Sequence, residues 1–291
     1  MINQISIVIV IFHSEQIIDK TVKFLLDQEI IIIDNSNNKK LKEIFKKTYP
    51  KIKYILSKEN LGYSAGNNLG IKNASNDYIL VLNPDCIVSK EAINNLLKYI
   101  NDIHYFGILC PNLSNNQCAD FSKKNNFKPV TVDYKSIGLN LISGCALLLN
   151  KQVLNNEIFF DEKIFIYKED TDLVKRLNDK GLPVYYLPNC SVKHMGTASH
   201  KKQIEYEMQL SRNFHWTYGN VYFYKKHFGT TYAAIKWGPK LFSSLVKTLF
   251  YFLTINKNKF LIYKNRLLGI ITAFLNKKAW YRPKIDTNEN Y

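Results

Sequence analysis

The sequence lacks long apolar runs, paired cysteines and a leader-like beginning. No stretch reaches about 18 uncharged apolar residues, so we expect no transmembrane helix. The 291 residues include five scattered cysteines and no C-x-x-C pair, which argues against a disulfide framework or a zinc knuckle and for a reducing compartment. The apolar run Ile5–Phe12 has no positive residue before it and no cleavage site after it. We interpret it as a buried strand and not as a secretory signal.

Two glycine patterns that bind phosphate are also missing. The first apolar run is followed by His13-Ser14-Glu15-Gln16, without the G-x-G-x-x-G of dinucleotide-binding domains, and no G-x-x-x-x-G-K-[ST] occurs anywhere. A dehydrogenase and a P-loop enzyme are therefore disfavoured. A nucleotidyltransferase is disfavoured too, because the segment after the first strand has neither the glycines nor the cation that would hold a triphosphate.

Acidic residues are scarce in the last third of the chain. Of the net charge of +16, residues 201–291 carry 16 Lys/Arg against 4 Asp/Glu, a balance that suits nucleic acid or an anionic membrane surface. Between Lys240 and Thr254 apolar residues recur at helical spacing, with lysine, serine and threonine between them. We therefore predict that 201–291 is a basic, amphipathic helical tail that docks on a membrane, and we weigh a nucleic-acid-binding protein as the alternative from another class.

The first hundred residues alternate between apolar runs and helix-compatible segments. The runs are Ile5–Phe12, Ile30–Asp34, Ile52–Leu56 and Tyr78–Leu82. This alternation predicts an α/β domain with a mainly parallel sheet and crossover helices. Polar residues follow three of these runs, at the strand ends where such sheets bind ligands. The segment 107–144 is rich in Asn, Lys and Ser and is expected to be an irregular loop region.

Six short segments, taken in their order and spacing, carry a family resemblance. They are Asp34-Asn35-Ser36, Asn60–Ile71, Asn83-Pro84-Asp85, Ser143-Gly144-Cys145, Glu169-Asp170-Thr171-Asp172 and His194-Met195-Gly196. Over roughly residues 3–200 the chain resembles the family 2 glycosyltransferases with the A-type fold, in particular their rhamnosyltransferase-like branch. The resemblance implies a mixed, mainly parallel sheet in a three-layer nucleotide-sugar-binding domain over 1–200, followed by a C-terminal helical extension. Residues 1–100 would form the nucleotide-binding half and 101–200 the acceptor half.

The resemblance implies a divalent cation, Mn²⁺ or Mg²⁺. A departing nucleoside diphosphate develops negative charge, which a bound cation stabilises. Asp85 corresponds to the family's metal-binding aspartate and His194 to a second ligand, whose imidazole suits Mn²⁺ better than Mg²⁺. The family's usual pair of aspartates is here Asn83-Pro84-Asp85, with one carboxylate fewer. The alternative for His194 is a surface or hydrogen-bonded core histidine.

Asp170 corresponds to the family's catalytic base. An inverting transfer needs a group that takes the proton of the acceptor hydroxyl as that oxygen attacks the anomeric carbon. Glu169 and Asp172 would then orient hydroxyls of the substrates. The alternative is that these acidic residues only favour the first turn of a helix.

The remaining substrate contacts are also implied by the resemblance. Asp34 would bind the base of the nucleotide, and backbone groups of Phe12 and Ser14 would hold the same nucleoside. The small and polar residues of 60–68 would lie close to the ligand. Six further residues are predicted to contact the sugar donor or the acceptor substrate: Asn60, Gly62, Asn68, Asn83, Ser143 and Gly144. The alternative for the strand-end residues is a plain turn, which Asp, Asn and Ser favour.

The predicted activity is the inverting transfer of a sugar from a nucleotide donor to a lipid-linked, polyprenyl-diphosphate acceptor of a bacterial surface glycan. The branch resembled suggests L-rhamnose from dTDP-rhamnose, while a UDP-hexose or UDP-N-acetylhexosamine donor stays open. We expect a peripheral protein on the cytoplasmic, inner face of the cell membrane, with an anionic lipid surface as a partner and no nucleic acid.

Overall fold

The computed structural model describes residues 5–113, 143–155, 159–196, 200 and 202–283. Contacts between Cα atoms divide the chain into two compact units. The first consists of Met1–Phe160 and Asp170–Lys201, and the second of Asp161–Glu169 and Lys202–Tyr291. No helix among the described residues combines the length and the apolar character needed to span a bilayer.

The first unit contains one eight-stranded sheet in the order β3-β2-β1-β4-β7-β6-β8-β5. Strands β3, β2, β1 and β4 are parallel to one another, β7 runs antiparallel to both β4 and β6, β8 is parallel to β6, and β5 is antiparallel to β8. The predicted mixed, mainly parallel sheet is thus confirmed. The strands are β1 Ile5–Ile11, β2 Glu29–Asp34, β3 Lys53–Leu56, β4 Tyr78–Leu82, β5 Cys86–Ile87, β6 Ile108–Leu113, β7 Ala146–Asn150 and β8 Val184–His194.

Helices cover both faces of this sheet because successive residues of a strand point to opposite sides. On one face Ile5, Ile7 and Ile9 of β1 pack in a core with residues of α1, α2 and α4. On the other face Val8 shares a core with residues of α3 and α5. The result is the predicted three-layer arrangement. The helices of this unit are α1 Glu15–Val22, α2 Lys39–Thr48, α3 Gly62–Lys72, α4 Lys90–Ile103 and α5 Glu169–Asp179.

Helix α3 lies unusually close to strand β1 because two of its residues are glycines. A Cβ on Gly70 would be 2.2 Å from Cγ1 of Val8, and one on Gly66 would be 2.9 Å from Cγ1 of Val10. Both distances are shorter than any ordinary carbon–carbon contact. The glycines of the motif at 60–71 therefore serve helix-to-sheet packing, which fixes the start of α3 against the ends of β1 and β2.

The expectation that 107–144 is irregular is wrong for residues 108–113, which form strand β6 between β7 and β8. Pro111 made this strand hard to recognise from the sequence, because proline cannot donate a backbone hydrogen bond to a neighbouring strand and is usual only at sheet edges and bulges. Here the register with β8 shifts between Pro111 and Asn112, which accommodates it. The rest of that segment, 114–142, lies outside the described residues.

The second unit contains helices α6 Glu205–Phe228, α7 Thr230–Leu253 and α8 Lys257–Phe274. Its core includes Phe214, Trp237 and Ile270, one from each helix, together with Phe165 from the segment 161–169. Helices α6 and α8 approach each other closely at Gly269, where a Cβ would lie 2.3 Å from the backbone carbonyl oxygen of Phe214. The predicted helical character of Lys240–Thr254 corresponds to the second half of α7.

Helix α7 buries two small polar residues of that predicted segment and leaves apolar residues exposed. Ser244 and Thr248 are only 7% and 9% exposed, and the hydroxyl of Thr248 donates to the carbonyl of Ser244 at 2.7 Å. The hydroxyl of Thr248 has its hydrogen-bond partner within the same helix, and the side chains of Ser244 and Thr248 are small. These two features allow α8 to pack closely against this side of α7. The apolar face of α7, as we call it, is formed by the exposed residues Phe242, Leu245, Val246, Leu249, Phe250 and Leu253.

Candidate active site

The pairing of β5 with β8 brings Asp85 and His194 together. After β4 the chain turns at Asn83, whose carbonyl accepts from the amide of Cys86 at 3.1 Å. Cys86 then stands opposite His194 in the antiparallel ladder, and the amide of Met195 donates to the carbonyl of Asp85 at 2.9 Å. Two residues that the sequence predicted as metal ligands, from distant parts of the chain, thus share one corner of the first unit.

Oδ1 of Asp85 lies 3.3 Å from Nε2 of His194. Both residues are buried, and Oδ1 makes no hydrogen bond of good geometry with any described residue. The carboxylate raises the pKa of His194 to about 10, with a further contribution from Cys145, so at neutral pH the imidazole carries a proton that a bound cation would displace. A buried carboxylate oxygen that faces an imidazole nitrogen fits a divalent cation.

Two cysteines adjoin this pair, and the sequence had not assigned either to the site. Sγ of Cys145 lies 3.7 Å from Nε2 of His194 and accepts from the side-chain amide of Asn83 at 3.4 Å. The thiol of Cys86 reaches the carbonyl of Cys145 at 3.5 Å. The hydrogen bond between the two thiols lowers the pKa of Cys145 and raises the pKa of Cys86. Cys86 could have been noticed from its position next to Asp85, whereas no local pattern marks Cys145 as a site residue.

The turn at 143–145 holds Asp170 on its other side. The amide of Gly144 donates to Oδ2 of Asp170 at 3.0 Å, and the amide of Thr171 donates to Oδ1 at 2.6 Å. The hydroxyl of Tyr63 on α3 donates to the carbonyl of Gly144, and Oγ of Ser143 accepts from the amide of Cys145 at 3.4 Å. Two consecutive residues, Gly144 and Cys145, therefore contact the predicted base and the predicted metal ligand respectively.

The other two acidic residues of that segment have different surroundings. Asp172 is fully buried and accepts from Nε of Arg176 at 2.8 Å, while Nη2 of the same arginine donates to the carbonyl of Phe159 at 2.6 Å. These contacts link α5 to the segment at Phe159, so Asp172 has a structural function. Glu169 is buried at the first position of α5 and belongs to the second unit. That either residue orients a substrate hydroxyl stays a prediction.

Asp34 ends β2 next to the end of β1, and protein groups surround its carboxylate. It is fully buried and accepts from the amide of Ser36 at 2.8 Å, from the amide of Asn38 at 3.2 Å and from the hydroxyl of Tyr54 at 2.8 Å. Burial, reinforced by this carboxylate, strongly raises the pKa of Tyr54. In the structure Asp34 organises the turn after β2, and its contact with a nucleotide base stays a prediction.

The remaining predicted contacts cluster at the same edge of the sheet or at α3. Ser14 is buried after β1, and its Oγ accepts from the amide of Phe12 at 3.2 Å. Asn60 accepts from the amide of Gly62, which begins α3 with a positive φ of 77°. Asn68 makes two hydrogen bonds with the backbone of Phe160, at 2.9 and 3.0 Å. The motif residues thus lie together, held by contacts within the first unit.

Comparison with known proteins agrees with this geometry. A sequence model described as Glycosyl transferase family 2 matches residues 6–158. The low-salt glycan biosynthesis hexosyltransferase Agl10 of Haloferax volcanii is 27% identical over 203 residues, which cover 63% of this chain and 64% of that relative. The N-acetylglucosaminyl-diphospho-decaprenol L-rhamnosyltransferase of Mycobacterium tuberculosis is 22% identical, covering 72% of this chain and 78% of its own length.

A solved structure shares the fold. The mannosyltransferase PcManGT from Pyrobaculum calidifontis, in complex with GDP-Man and Mn²⁺, matches with a TM-score of 0.58 over 94% of this chain and 88% of that protein. The two sequences are only 10% identical, so this likeness concerns the fold.

Proposed function

The chain belongs to the family 2 glycosyl transferases, and from that membership we propose an inverting, metal-dependent enzyme that transfers L-rhamnose from dTDP-rhamnose to a lipid-linked acceptor. One observation supports the mechanism more than any other. The adjacent residues Gly144 and Cys145 contact Asp170 on one side and His194 on the other, at 3.0 and 3.7 Å. A base and a metal ligand this close together can act on the two sides of one sugar–phosphate linkage, the base on the attacking hydroxyl and the metal ligand on the leaving diphosphate.

In the proposed mechanism, Asp85 and His194 stabilise the leaving group. These two side chains would hold a divalent cation, which would supply positive charge to the departing nucleoside diphosphate. The chain holds the pair rigidly, because the β5–β8 ladder fixes both backbones and both side chains are buried. The start of α3 at Gly62 adds the partial positive charge of a helix N-terminus near the ends of β1 and β2.

The attacking group is activated by Asp170. Amide donors at Gly144 and Thr171 fix the positions of both carboxylate oxygens, and a carboxylate held in this way can act as the proton acceptor. In the proposed step the acceptor hydroxyl gives its proton to Asp170 while its oxygen bonds to the anomeric carbon. The bond from that carbon to the diphosphate breaks at the same time, so the configuration inverts and no covalent enzyme intermediate forms.

The nucleoside would lie against the ends of β1 and β2. We propose that Asp34 and the backbone at Phe12 and Ser14 contact the base and ribose, as in the resembled family. Asn60 and Asn68 would bind the diphosphate side, while Asn83 and Ser143 would line the sugar side. We also propose that Glu169 and Asp172 contact substrate hydroxyls.

The lipid-linked acceptor requires access to a membrane, and the second unit offers a suitable surface. The apolar face of α7 includes Phe242, Leu249 and Leu253, which are 68%, 55% and 78% exposed. A contiguous exposed apolar surface of this kind is typical of a membrane or protein contact. Exposed lysines of the same helix, Lys240 and Lys247, add attraction to anionic headgroups. We propose peripheral attachment through this face, with the polyprenyl-diphosphate acceptor in the same bilayer.

The first experiment measures thermal unfolding of the full-length protein with dTDP, UDP and GDP and their sugars, each with and without MnCl₂. We expect one nucleoside diphosphate to raise Tm only with Mn²⁺, with the rise lost in Asp85→Asn and kept in Asp27→Asn. Asp27 is a matched control because it is an exposed carboxylate that pairs with Lys90 at 3.1 Å. If no nucleotide raises Tm and an oligonucleotide does, the proposal is wrong and nucleic-acid binding replaces it.

A turnover assay then tests the chemistry. The protein is incubated with dTDP-rhamnose and a polyprenyl-diphosphate-linked N-acetylglucosamine, and the product is examined by NMR. We expect the new linkage to have the anomeric configuration opposite to that of the donor. A product with the donor's configuration would contradict the role of Asp170, and turnover with a UDP-sugar alone would replace rhamnose as the donor sugar.

A further inference from the structure

The corner that holds Asp85 and His194 also holds two sulfur atoms. The side-chain ligand atoms of Asp85, Cys86 and His194 all lie within 4.8 Å of one another. Cys145 approaches the same nitrogen of His194 that faces Asp85. Cys86 is fully buried and Cys145 partly so, and both are free thiols. The site therefore offers an oxygen, a nitrogen and up to two sulfurs to one cation.

Two separations measured from Nε2 of His194 match a tetrahedral site. Ligands at about 2.1 Å for oxygen or nitrogen and about 2.3 Å for sulfur, arranged tetrahedrally around Zn²⁺, are separated by about 3.4 Å for O···N and about 3.6 Å for N···S. The observed distances are 3.3 Å between Asp85 and His194 and 3.7 Å between His194 and Cys145. The two distances from Nε2 of His194 thus agree with a tetrahedral site, and Cys86 completes the three residues whose ligand atoms lie within 4.8 Å of one another.

The chemistry of the donors separates two classes of cation. Mg²⁺ and Mn²⁺ favour oxygen ligands, whereas thiolates favour Zn²⁺ and its softer relatives such as Cd²⁺. We propose that Asp85, Cys86 and His194, with Cys145 as a fourth donor that moves toward the cation, form a binding site for a thiophilic divalent cation, which competes with the catalytic cation. On binding, the two thiol protons and the imidazolium proton leave to solvent, and two metal–sulfur bonds, one metal–nitrogen bond and one metal–oxygen bond form. The inference rests on the proposed function only for the identity of the catalytic cation.

The direct test uses Cd²⁺, whose bonds to thiolate give an ultraviolet charge-transfer absorbance. Full-length protein freed of metal is titrated with CdCl₂. We expect the absorbance to saturate at one equivalent, to fall by roughly half in Cys145→Ser and in Cys86→Ser, and to vanish in the double variant, since each thiolate contributes separately. Cys190→Ser is the matched control, because Cys190 is a buried thiol of the same sheet that contacts the carbonyl of Ala92.

A competition experiment measures selectivity. Free Mn²⁺ is followed by electron paramagnetic resonance while ZnCl₂ is added to the Mn²⁺-loaded protein. We expect wild-type protein to release Mn²⁺ at close to one equivalent of zinc, and Cys145→Ser to need at least about tenfold more, by analogy with the losses seen when metal-site partners are removed. If Cys86→Ser fails to fold, judged by circular dichroism, Cys145→Ser and Cys145→Ala carry the test alone.

The outcomes separate this inference from the proposed function. Absence of the cadmium absorbance in wild-type protein, or its persistence in Cys145→Ser at full strength, overturns the thiophilic site. If that absorbance is absent while Mn²⁺ still supports nucleotide binding by the wild-type protein, only this inference fails. If the absorbance appears and no nucleotide binds, the metal site stands and the transferase proposal fails.

Discussion

The amide of Gly144 donates a 3.0 Å hydrogen bond to Oδ2 of Asp170, and this contact joins the turn before β7 to the start of α5. The amide of Thr171 fixes the other oxygen. A carboxylate held on both oxygens by amides keeps its position whether or not substrate is present. The proposed base is therefore preorganised by the backbone.

Replacing Asp170 with asparagine should remove the base and leave the fold largely intact. We expect kcat to fall by about 10²–10⁴, the usual contribution of a general base, with the Kd for the nucleotide unchanged. Steady-state kinetics and calorimetry measure the two quantities. Asp179→Asn is the control, since Asp179 lies on the same helix but is exposed and pairs with Lys175. A kcat within threefold of wild type would exclude Asp170 as the base.

Stability should depend on pH through His215, a fully buried residue of α6. Burial lowers the pKa of its imidazole from 6.5 to about 3, and Nε2 lies 2.9 Å from the carbonyl oxygen of Tyr281. The unfolded chain takes up a proton below pH 6.5 and the folded chain only near pH 3. The stability that the neutral ring provides is thus present above pH 6.5 and is lost as pH falls toward 3, by up to about 1.4 kcal/mol per pH unit.

Thermal unfolding between pH 7 and pH 4 tests this dependence. We expect His215→Gln to show a shallower loss of Tm than the wild type across that range. His227→Gln provides the comparison, because His227 lies on the same helix and is only partly buried. Equal slopes for wild type and His215→Gln would show that other groups cause the acid sensitivity.

Alanine at position 70 should destabilise the first unit. Its Cβ would lie 2.2 Å from Cγ1 of Val8, in the middle of β1, and overpacking of this kind costs about 1–3 kcal/mol. Val8→Ala removes the clashing methyl groups and leaves a small cavity. Urea unfolding of the two single variants and the double variant should therefore give a favourable coupling energy between the sites. Additive losses would mean that α3 shifts away from β1.

Glutamate at two positions of the apolar face of α7 should abolish membrane binding. Phe242 and Leu249 are exposed in the structure, so Phe242→Glu with Leu249→Glu should leave Tm nearly unchanged. We expect binding to vesicles containing phosphatidylglycerol to fall at least about tenfold, since burying each side chain in lipid is worth about 1.5–3 kcal/mol.

The charge-matched control places glutamates at Ser243 and Thr254, which are exposed and polar. We expect this variant to retain most of its binding to the vesicles at low salt. Binding of the wild type should weaken at 1 M NaCl, where the screening length falls to about 3 Å. Undiminished binding by the Phe242 and Leu249 variant would mean that another surface contacts the lipid.

Sequence patterns predicted the parallel strands within residues 1–100 well, because buried parallel strands are continuous apolar runs. The predicted range Tyr78–Leu82 agrees with the structure to the residue. Strand β6 was missed because Pro111 and Asn112 resemble a loop, and only the bulge opposite β8 explains their place in a sheet.

The candidate site was predictable only where a motif carried its residues. Asp85 and His194 were paired by family resemblance, and the β5–β8 ladder supplies the physical reason that they meet. The approach of Cys145 to His194 has no local signal, since it depends on where β7 enters the sheet. Periodicity likewise predicted helix α7, but could not tell that its serine and threonine would face α8.

The chain passes between the two compact units three times, because Asp161–Glu169 belongs with the helices and its flanking residues belong with the sheet. Asp161 pairs with Lys226 at 2.7 Å, and Phe165 stacks on His215 with ring centroids 4.3 Å apart. A fragment ending at residue 200 would keep this segment and lose every one of these partners. The second unit is therefore not a removable appendage. In gene fusions, domain exchanges or limited proteolysis, we expect the two units to be retained together or lost together.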